Sequence, residues 1–413
     1  MLKALPMRRW LTFLCCAFPY FSGASSILIP MDEFQQNHLK AYGIAYYSLQ
    51  NDVPVDWLLN YRDGSFLMQY SKGIETECRV RGVSYEVISD PQTNSILAKV
   101  ASPSVNMNLV RMGRAPKIAV YSPRNDLIED ETDAVLLVLD YAEIPYDIIY
   151  DNEVLDDELV LYDWLHLHHE DFTGQVDKFN WRWSNIMEGE MQKMNAQSLG
   201  YASVTDMKKD VALKIKSFLA GGGYLFAMCS GAETFDLALS AEELEISPFT
   251  NGIVRYELDY TKTLAFTNFT LEDGYSRRFS DINVSRDWNR KLSYFSIFEF
   301  SAKWDVVPAI LTQNHEHIIQ EFSGLTTAFS KQTVKSSALI LGENNANGNV
   351  RYLYGELGNG HWSYYSGHDP EKRNSRGRNG QPTDLSMFPN SPGYRLILNN
   401  VLFPSTKKKR QKT

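Results

Sequence analysis

Cys229 follows the apolar run Tyr224-Leu225-Phe226-Ala227-Met228 and precedes Ser230, Gly231 and Ala232. A buried strand ends, one cysteine follows, and small residues open a helix. A tight turn of this kind lifts the cysteine side chain above the end of the strand. The free amides and the dipole at the start of the helix stabilise negative charge on its sulfur. The same amides form a candidate oxyanion hole. This is the cysteine version of the nucleophile elbow that carries serine in other α/β enzymes. A small buried cysteine packed where a strand meets a helix would leave the same residues, so the motif alone leaves both readings open.

A second cluster, Ser366-Gly367-His368-Asp369-Pro370-Glu371, follows the strand-like residues 361–365. A histidine at a strand end can act as general base, and a neighbouring carboxylate, Asp369 or Glu371, can orient it. A loop histidine beside a capping aspartate is the competing reading. The third cluster is His166-Leu167-His168-His169-Glu170-Asp171, dense for a chain with 8 histidines. Side chains alternate along a strand, so His166 and His168 share one face. The spacing matches no standard zinc motif, and polar residues rimming a cleft are the plainer reading. His168, His169 and Glu170 are therefore assigned to substrate binding, with Ser230 and Gly231. His315-Glu316-His317 reads as surface. No metal or cofactor is expected.

These clusters need a frame. Residues 117–121, 146–150, 160–166 and 224–228 read as buried strands, alternating with helices over 132–143 and 207–220. The latter is closed by Gly221-Gly222-Gly223, a C-cap signal. Alternation at this spacing argues for right-handed βαβ units and a parallel sheet. Each cluster then falls at the carboxyl end of a strand, the edge where open α/β sheets bind ligands. Residues 25–112 read as a separate N-terminal α/β region. The expected core domain comprises 113–244 and 340–405, interrupted by a mostly β insertion over 245–339. The fold class is α/β, a flavodoxin-like parallel sheet with helices on both faces.

The chain has 413 residues, 44 % hydrophobic and 22 % charged, which excludes wholesale disorder and allows a large core. A formal charge of −9 argues against a nucleic-acid-binding surface. The basic run Lys407-Lys408-Lys409-Arg410, within a tail over 406–413, reads as solvated. Residues 1–24 resemble a secretory signal: Lys3, Arg8 and Arg9 precede a short apolar stretch, and Ser22-Gly23-Ala24 suits cleavage. The expected location is the periplasm. No later segment is apolar over the ~20 residues a membrane span needs. Cys78 and Cys229 would then remain, too few for a disulfide framework.

Taken together, Gly222-Gly223-Tyr224-Leu225-Phe226-Ala227-Met228-Cys229-Ser230-Gly231, Gly367-His368-Asp369-Pro370-Glu371 and Pro392-Gly393-Tyr394-Arg395-Leu396 resemble the class I glutamine amidotransferase-like superfamily, with its DJ-1/PfpI and ThuA-like groups. The resemblance implies a Cys-His-carboxylate triad of Cys229, His368 and Asp369 or Glu371. Two positions differ from the family pattern: Ala227 stands where glycine is usual, and Pro370 where His-x-Glu would place its glutamate. Leu28-Ile29-Pro30-Met31-Asp32, Asn37-His38-Leu39-Lys40-Ala41-Tyr42-Gly43 and residues 165–172 also resemble a Bacteroidetes group labelled asparagine synthetase B. The N-terminal cysteine and Ser-Gly-Gly-x-Asp-Ser loop of asparagine synthetase B itself do not occur.

The expected function is a Cys-dependent amide or acyl hydrolase acting on a small amide. One alternative is a non-catalytic ThuA-like module binding glycans or peptides through its aromatic residues. The other is a metal-dependent hydrolase using His168, His169 and His368. The sequence leaves the oligomeric state open.

Overall fold

The computed structural model describes residues 25–122, 133–168, 170–175, 183–246, 253–272, 278–285, 294–312, 316–320, 324, 326–371 and 382–406; for 183–187, 243–246 and 253–254 this is the backbone alone. The expected signal segment, His169, His315 and the basic run of the tail lie outside the described residues.

The N-terminal region is built from β1 (Ser26–Ile29), α1 (His38–Gln50), β2 (Val55–Leu59), β3 (Ser65–Gln69), α2 (Lys72–Arg81), β4 (Glu86–Ile88), α3 (Asp90–Ala101) and β5 (Asn108–Met112). Its strands form an antiparallel sheet in the order β4-β1-β3-β2-β5. The Arg62-Asp63-Gly64 turn signal joins β2 to β3, and all three residues take positive φ. Helix α2 has its boundaries written in the sequence. Ser71 caps it by accepting from the Ile74 amide, and Gly82 ends it at φ +69°.

The main unit follows with β6 (Ile118–Tyr121), α4 (Ala134–Ala142), β7 (Asp147–Ile149), α5 (Asp151–Leu155), β8 (Trp164–Leu167), α6 (Trp183–Ser198), α7 (Val204–Gly221), β9 (Tyr224–Met228) and α8 (Cys229–Ser240). Beyond it lie β10 (Ala241–Ile246), β11 (Ile253–Leu258), β12 (Phe295–Ile297), α9 (Pro308–Leu311), β13 (Ile318–Ile319), β14 (Leu339–Glu343), β15 (Val350–Leu357), β16 (Gly360–Tyr365) and α10 (Pro392–Leu402). The large sheet runs β13-β12-β14-β15-β16-β9-β8-β6-β7. Strands β7, β6, β8, β9 and β16 are parallel neighbours. By order in the chain they stand second, first, third, fourth and fifth, the doubly wound order of flavodoxin-like sheets.

Two features depart from the expected architecture. The sheet is parallel only on one side, because β15, β14, β12 and β13 extend it antiparallel. Within the 245–339 segment, β12 and β13 join the edge of the main sheet through β14.

Period-two alternation divides the core. Along β9, Tyr224, Phe226 and Met228 face the layer containing α1, α4 and α10. Leu225 and Ala227 face the layer containing α7 and α8. Buried Arg395 on α10 locks the N-terminal region to the first layer. It donates to the Tyr42 hydroxyl at 3.1 Å and to the carbonyl oxygens of Asp63 and Met31. No helix among the described residues is long and apolar enough to cross a membrane.

Candidate active site

The carboxyl ends of β8, β9 and β16 and the start of α4 converge on one edge of the sheet. Cys229 opens α8 directly after β9 and takes φ +51°. That left-handed value is uncommon for a residue with a Cβ, and such strain is concentrated at functional turns. Its side chain is buried. The elbow is anchored to the neighbouring strand end, since the Gly231 amide donates to the His168 carbonyl at 3.0 Å. That amide is already used, so Gly231 positions the elbow and supplies no free oxyanion donor. Ser230 is buried beside it.

His368, half-buried, sits just past β16. It meets Cys229 at Gly324, whose φ is +147°. A Cβ built on that glycine would stand 3.2 Å from the Cys229 sulfur and 3.1 Å from Cβ of His368. Gly324 thus has the Cys229 sulfur and the start of the His368 side chain on its two sides, where a larger residue would not fit.

Asp369 does not orient His368. Its carboxylate accepts from the Thr383 hydroxyl, from the Tyr394 hydroxyl at 3.1 Å and from the Glu371 amide at 2.9 Å. It therefore ties the loop to α10. Glu371 accepts from the Ser391 hydroxyl at 2.6 Å, at the start of α10. Instead, the ring against His368 is that of His168, with centroids 4.1 Å apart at 69°.

His168 in turn meets Asp133. The alternation along β8 puts Trp164, His166 and His168 on one face, where their rings stack in succession. Asp133 caps α4 on the same side. Its Oδ1 accepts from the amides of Val135 and Leu136 at 2.6 and 3.1 Å. Its Oδ2 lies 2.6 Å from His168 Nδ1 and 3.1 Å from His166 Nε2. Burial alone would raise the Asp133 carboxyl, but the His168 and His166 imidazoles reverse this and hold it well below the usual range. His166 Nδ1 faces the Phe226 carbonyl at 3.1 Å.

Glu170 lies just beyond His168. Burial pushes its carboxyl up to about 8, opposed by Lys208 and reinforced by Glu188. Burial therefore favours the protonated form of this carboxyl around neutrality. Further in, the buried Lys208 ammonium contacts Asp151 at 2.8 Å and the Tyr121 hydroxyl at 2.7 Å.

Two acidic residues escaped the sequence reading. Asp133 carried a detectable sign, an aspartate ahead of an apolar helical run. That marks a cap and says nothing of the histidines it meets. Glu233 lies one turn after Cys229, fully buried. It accepts from the hydroxyls of Ser280 at 2.7 Å and Thr326 at 3.0 Å. Thr326 in turn accepts the Gly367 amide at 2.8 Å, beside His368.

No protein-family model matches the chain, and no curated protein matches it significantly. Among solved structures it is similar to a cytoplasmic protein from Salmonella typhimurium, at 13 % identity and a TM-score of 0.37, over 71 % of this chain and 100 % of that one. A second cytoplasmic protein, from Salmonella typhimurium LT2, gives 12 % identity and a TM-score of 0.35, over 70 % of this chain and 100 % of that one. The catalytic mutant of Gan42B, a GH42 beta-galactosidase from G. stearothermophilus, gives 12 % identity and a TM-score of 0.26, over 62 % of this chain and 28 % of that one.

Proposed function

We propose that the protein is a Cys-dependent amide or acyl hydrolase of the glutamine amidotransferase-like kind, acting outside the cytoplasm in the periplasm. The observation that carries this reading is the pairing at Gly324: a cysteine at φ +51° on a strand-to-helix turn, with a histidine packed on the same glycine. Sulfur attacks the substrate carbonyl carbon while His368 accepts the thiol proton. His368 returns that proton to the departing amine or alcohol, leaving a thioester on Cys229. Water, deprotonated by His368, then attacks the thioester and restores the thiol. His168 backs the His368 ring in place of the carboxylate that the family pattern supplies. Glu170, in the protonated form that its burial favours, donates a hydrogen bond to a substrate acceptor such as a carbonyl or carboxylate oxygen.

The test is p-nitrophenyl acetate with the native protein, following p-nitrophenolate release and the mass of Cys229 peptides. The expected result is an acetyl adduct on Cys229 and turnover that fall by about 100-fold or more in His368→Ala. L-glutamine, read by ammonia release, tests the amide branch. A protein that gains no adduct when native, yet is alkylated on Cys229 when denatured, would sink the nucleophile.

A further inference from the structure

We infer that Asp133, His166 and His168 form a site for one divalent transition-metal ion, zinc or its spectroscopic substitute cobalt, behind His368. The ligand atoms of the three residues all lie within 4.8 Å of one another. All three side chains are buried, so they are held by packing and not by solvent. They come from rigid places: the cap of α4, the middle of β8 and the residue after its end.

The internal arrangement of the cluster favours a cation over three unrelated polar groups. His166 Nδ1 faces a backbone carbonyl, Phe226 O, so in the neutral ring that nitrogen carries the proton. The lone pair of Nε2 is then directed at Asp133 Oδ2, 3.1 Å away. Two lone pairs cannot face each other at that distance, so either a proton on Nε2, as in a charged imidazolium, or a metal ion stands between them. A backbone acceptor on the far ring nitrogen is also how metal-bound histidines are fixed in tautomer and orientation. Asp133 spends Oδ1 on two helix amides and directs Oδ2 to both imidazoles, the geometry of a monodentate carboxylate ligand.

Distances and donor types narrow the ion. Zinc holds nitrogen and carboxylate oxygen at about 2.0–2.2 Å, which sets tetrahedral neighbours roughly 3.3 Å apart. The His166–Asp133 separation of 3.1 Å is close to this. The His168–Asp133 separation of 2.6 Å must open by some tenths of an ångström. Two imidazoles and one carboxylate suit zinc or cobalt and are poor company for magnesium or calcium. Among the described residues three ligands converge, the number that catalytic zinc sites use beside an open position. This set differs from that of the metal-dependent alternative among the sequence readings: His168 is common to both, and Asp133 and His166 stand in place of His169 and His368. The competing occupant is a proton shared among the three groups.

The inference is independent of Cys229 chemistry. The full chain is stripped with EDTA, dialysed and titrated with Co²⁺ at neutral pH, following visible ligand-field bands and calorimetric heat; metal content as purified is measured by mass spectrometry. One equivalent of metal is expected. His168→Ala should weaken binding beyond the roughly 10–100-fold that outer-shell changes cost, with circular dichroism unchanged. Asp133→Asn is the second variant, and Cys229→Ala should bind as the wild type does. No Co²⁺ or Zn²⁺ binding by the folded wild type, or binding that survives His168→Ala, overturns the site in favour of the proton. Binding lost in Cys229→Ala overturns the ligand set.

Discussion

The Gly231 amide donates to the His168 carbonyl at 3.0 Å, and a Cβ on Gly231 would stand 2.0 Å from that same oxygen. The start of α8 and the end of β8 are therefore in backbone contact, and this contact sets the distance between the elbow and the histidine face. In Gly231→Ala one of them has to move. The expected cost is about 1–3 kcal/mol from overpacking, read by urea unfolding. Acyl transfer at Cys229 should fall by more than the folded fraction does, because the elbow shifts with its anchor. A variant that keeps wild-type stability would show that the backbone yields freely here.

Glu233 joins the elbow helix to the loop bearing His368 through Thr326 and the Gly367 amide. Glu233→Ala leaves two buried hydroxyls without that acceptor. A loss of on the order of 2–4 kcal/mol is expected from a broken buried network. Because the carboxylate acts through the loop, kcat should drop while KM for p-nitrophenyl acetate holds. Glu233→Gln, which keeps an acceptor oxygen, should recover part of both. Equal kcat in Glu233→Ala and the wild type, measured on folded protein, would end the positioning role.

How much of this was legible in the sequence follows the range of the interactions. The strand Tyr224–Met228, the turn at Cys229 and the shared face of His166 and His168 depend on near neighbours and on period-two alternation, and all three are readable. Helix α2 is bounded by its own serine and glycine. The antiparallel joining of β12 and β13 to the main sheet depends on pairing partners far along the chain. The same holds for β5, which pairs with β2 and completes the N-terminal sheet. Asp133 meets His166 and His168 only after β6 and β8 pair, so its role is not written locally. Asp369 misled for the converse reason. It is adjacent to His368 in sequence, but its oxygens turn to Thr383 and Tyr394.

Lys208 and Asp151 form a buried ion pair in direct contact, with the Tyr121 hydroxyl bonded to both charges. Removing one partner strands the other in a medium that solvates it poorly. Lys208→Met should cost about 3–5 kcal/mol, measured by denaturant unfolding. The double variant Lys208→Met with Asp151→Leu should regain most of that loss, since apolar replacement of a whole buried pair is often neutral. If the single and double variants are equally unstable, the packing of Lys208 and not its charge carries the effect.

His38 gives the fold an acid-sensitive point. It begins α1, and its Nε2 faces the Asp32 carbonyl at 3.2 Å. Burial, helped by the Arg395 charge and opposed by the Asp32 carbonyl and carboxylate, lowers its pKa to about 3. Between roughly 3 and the unfolded value of about 6.5, the unfolded chain binds a proton that the folded chain refuses. Stability therefore rises with pH across that window and is lost as the solution is acidified. The contribution is on the order of a few kcal/mol. Carboxylates held low in the folded state, Asp133 among them, add an acid loss of their own, so the informative quantity is the difference between variants. His38→Gln keeps an N–H donor for the Asp32 carbonyl and removes the titration. Its unfolding free energy should fall less steeply than that of the wild type between those two pH values, with the curves parallel above neutrality. Parallel curves throughout the acid range would mean that His38 takes up its proton without unfolding the chain.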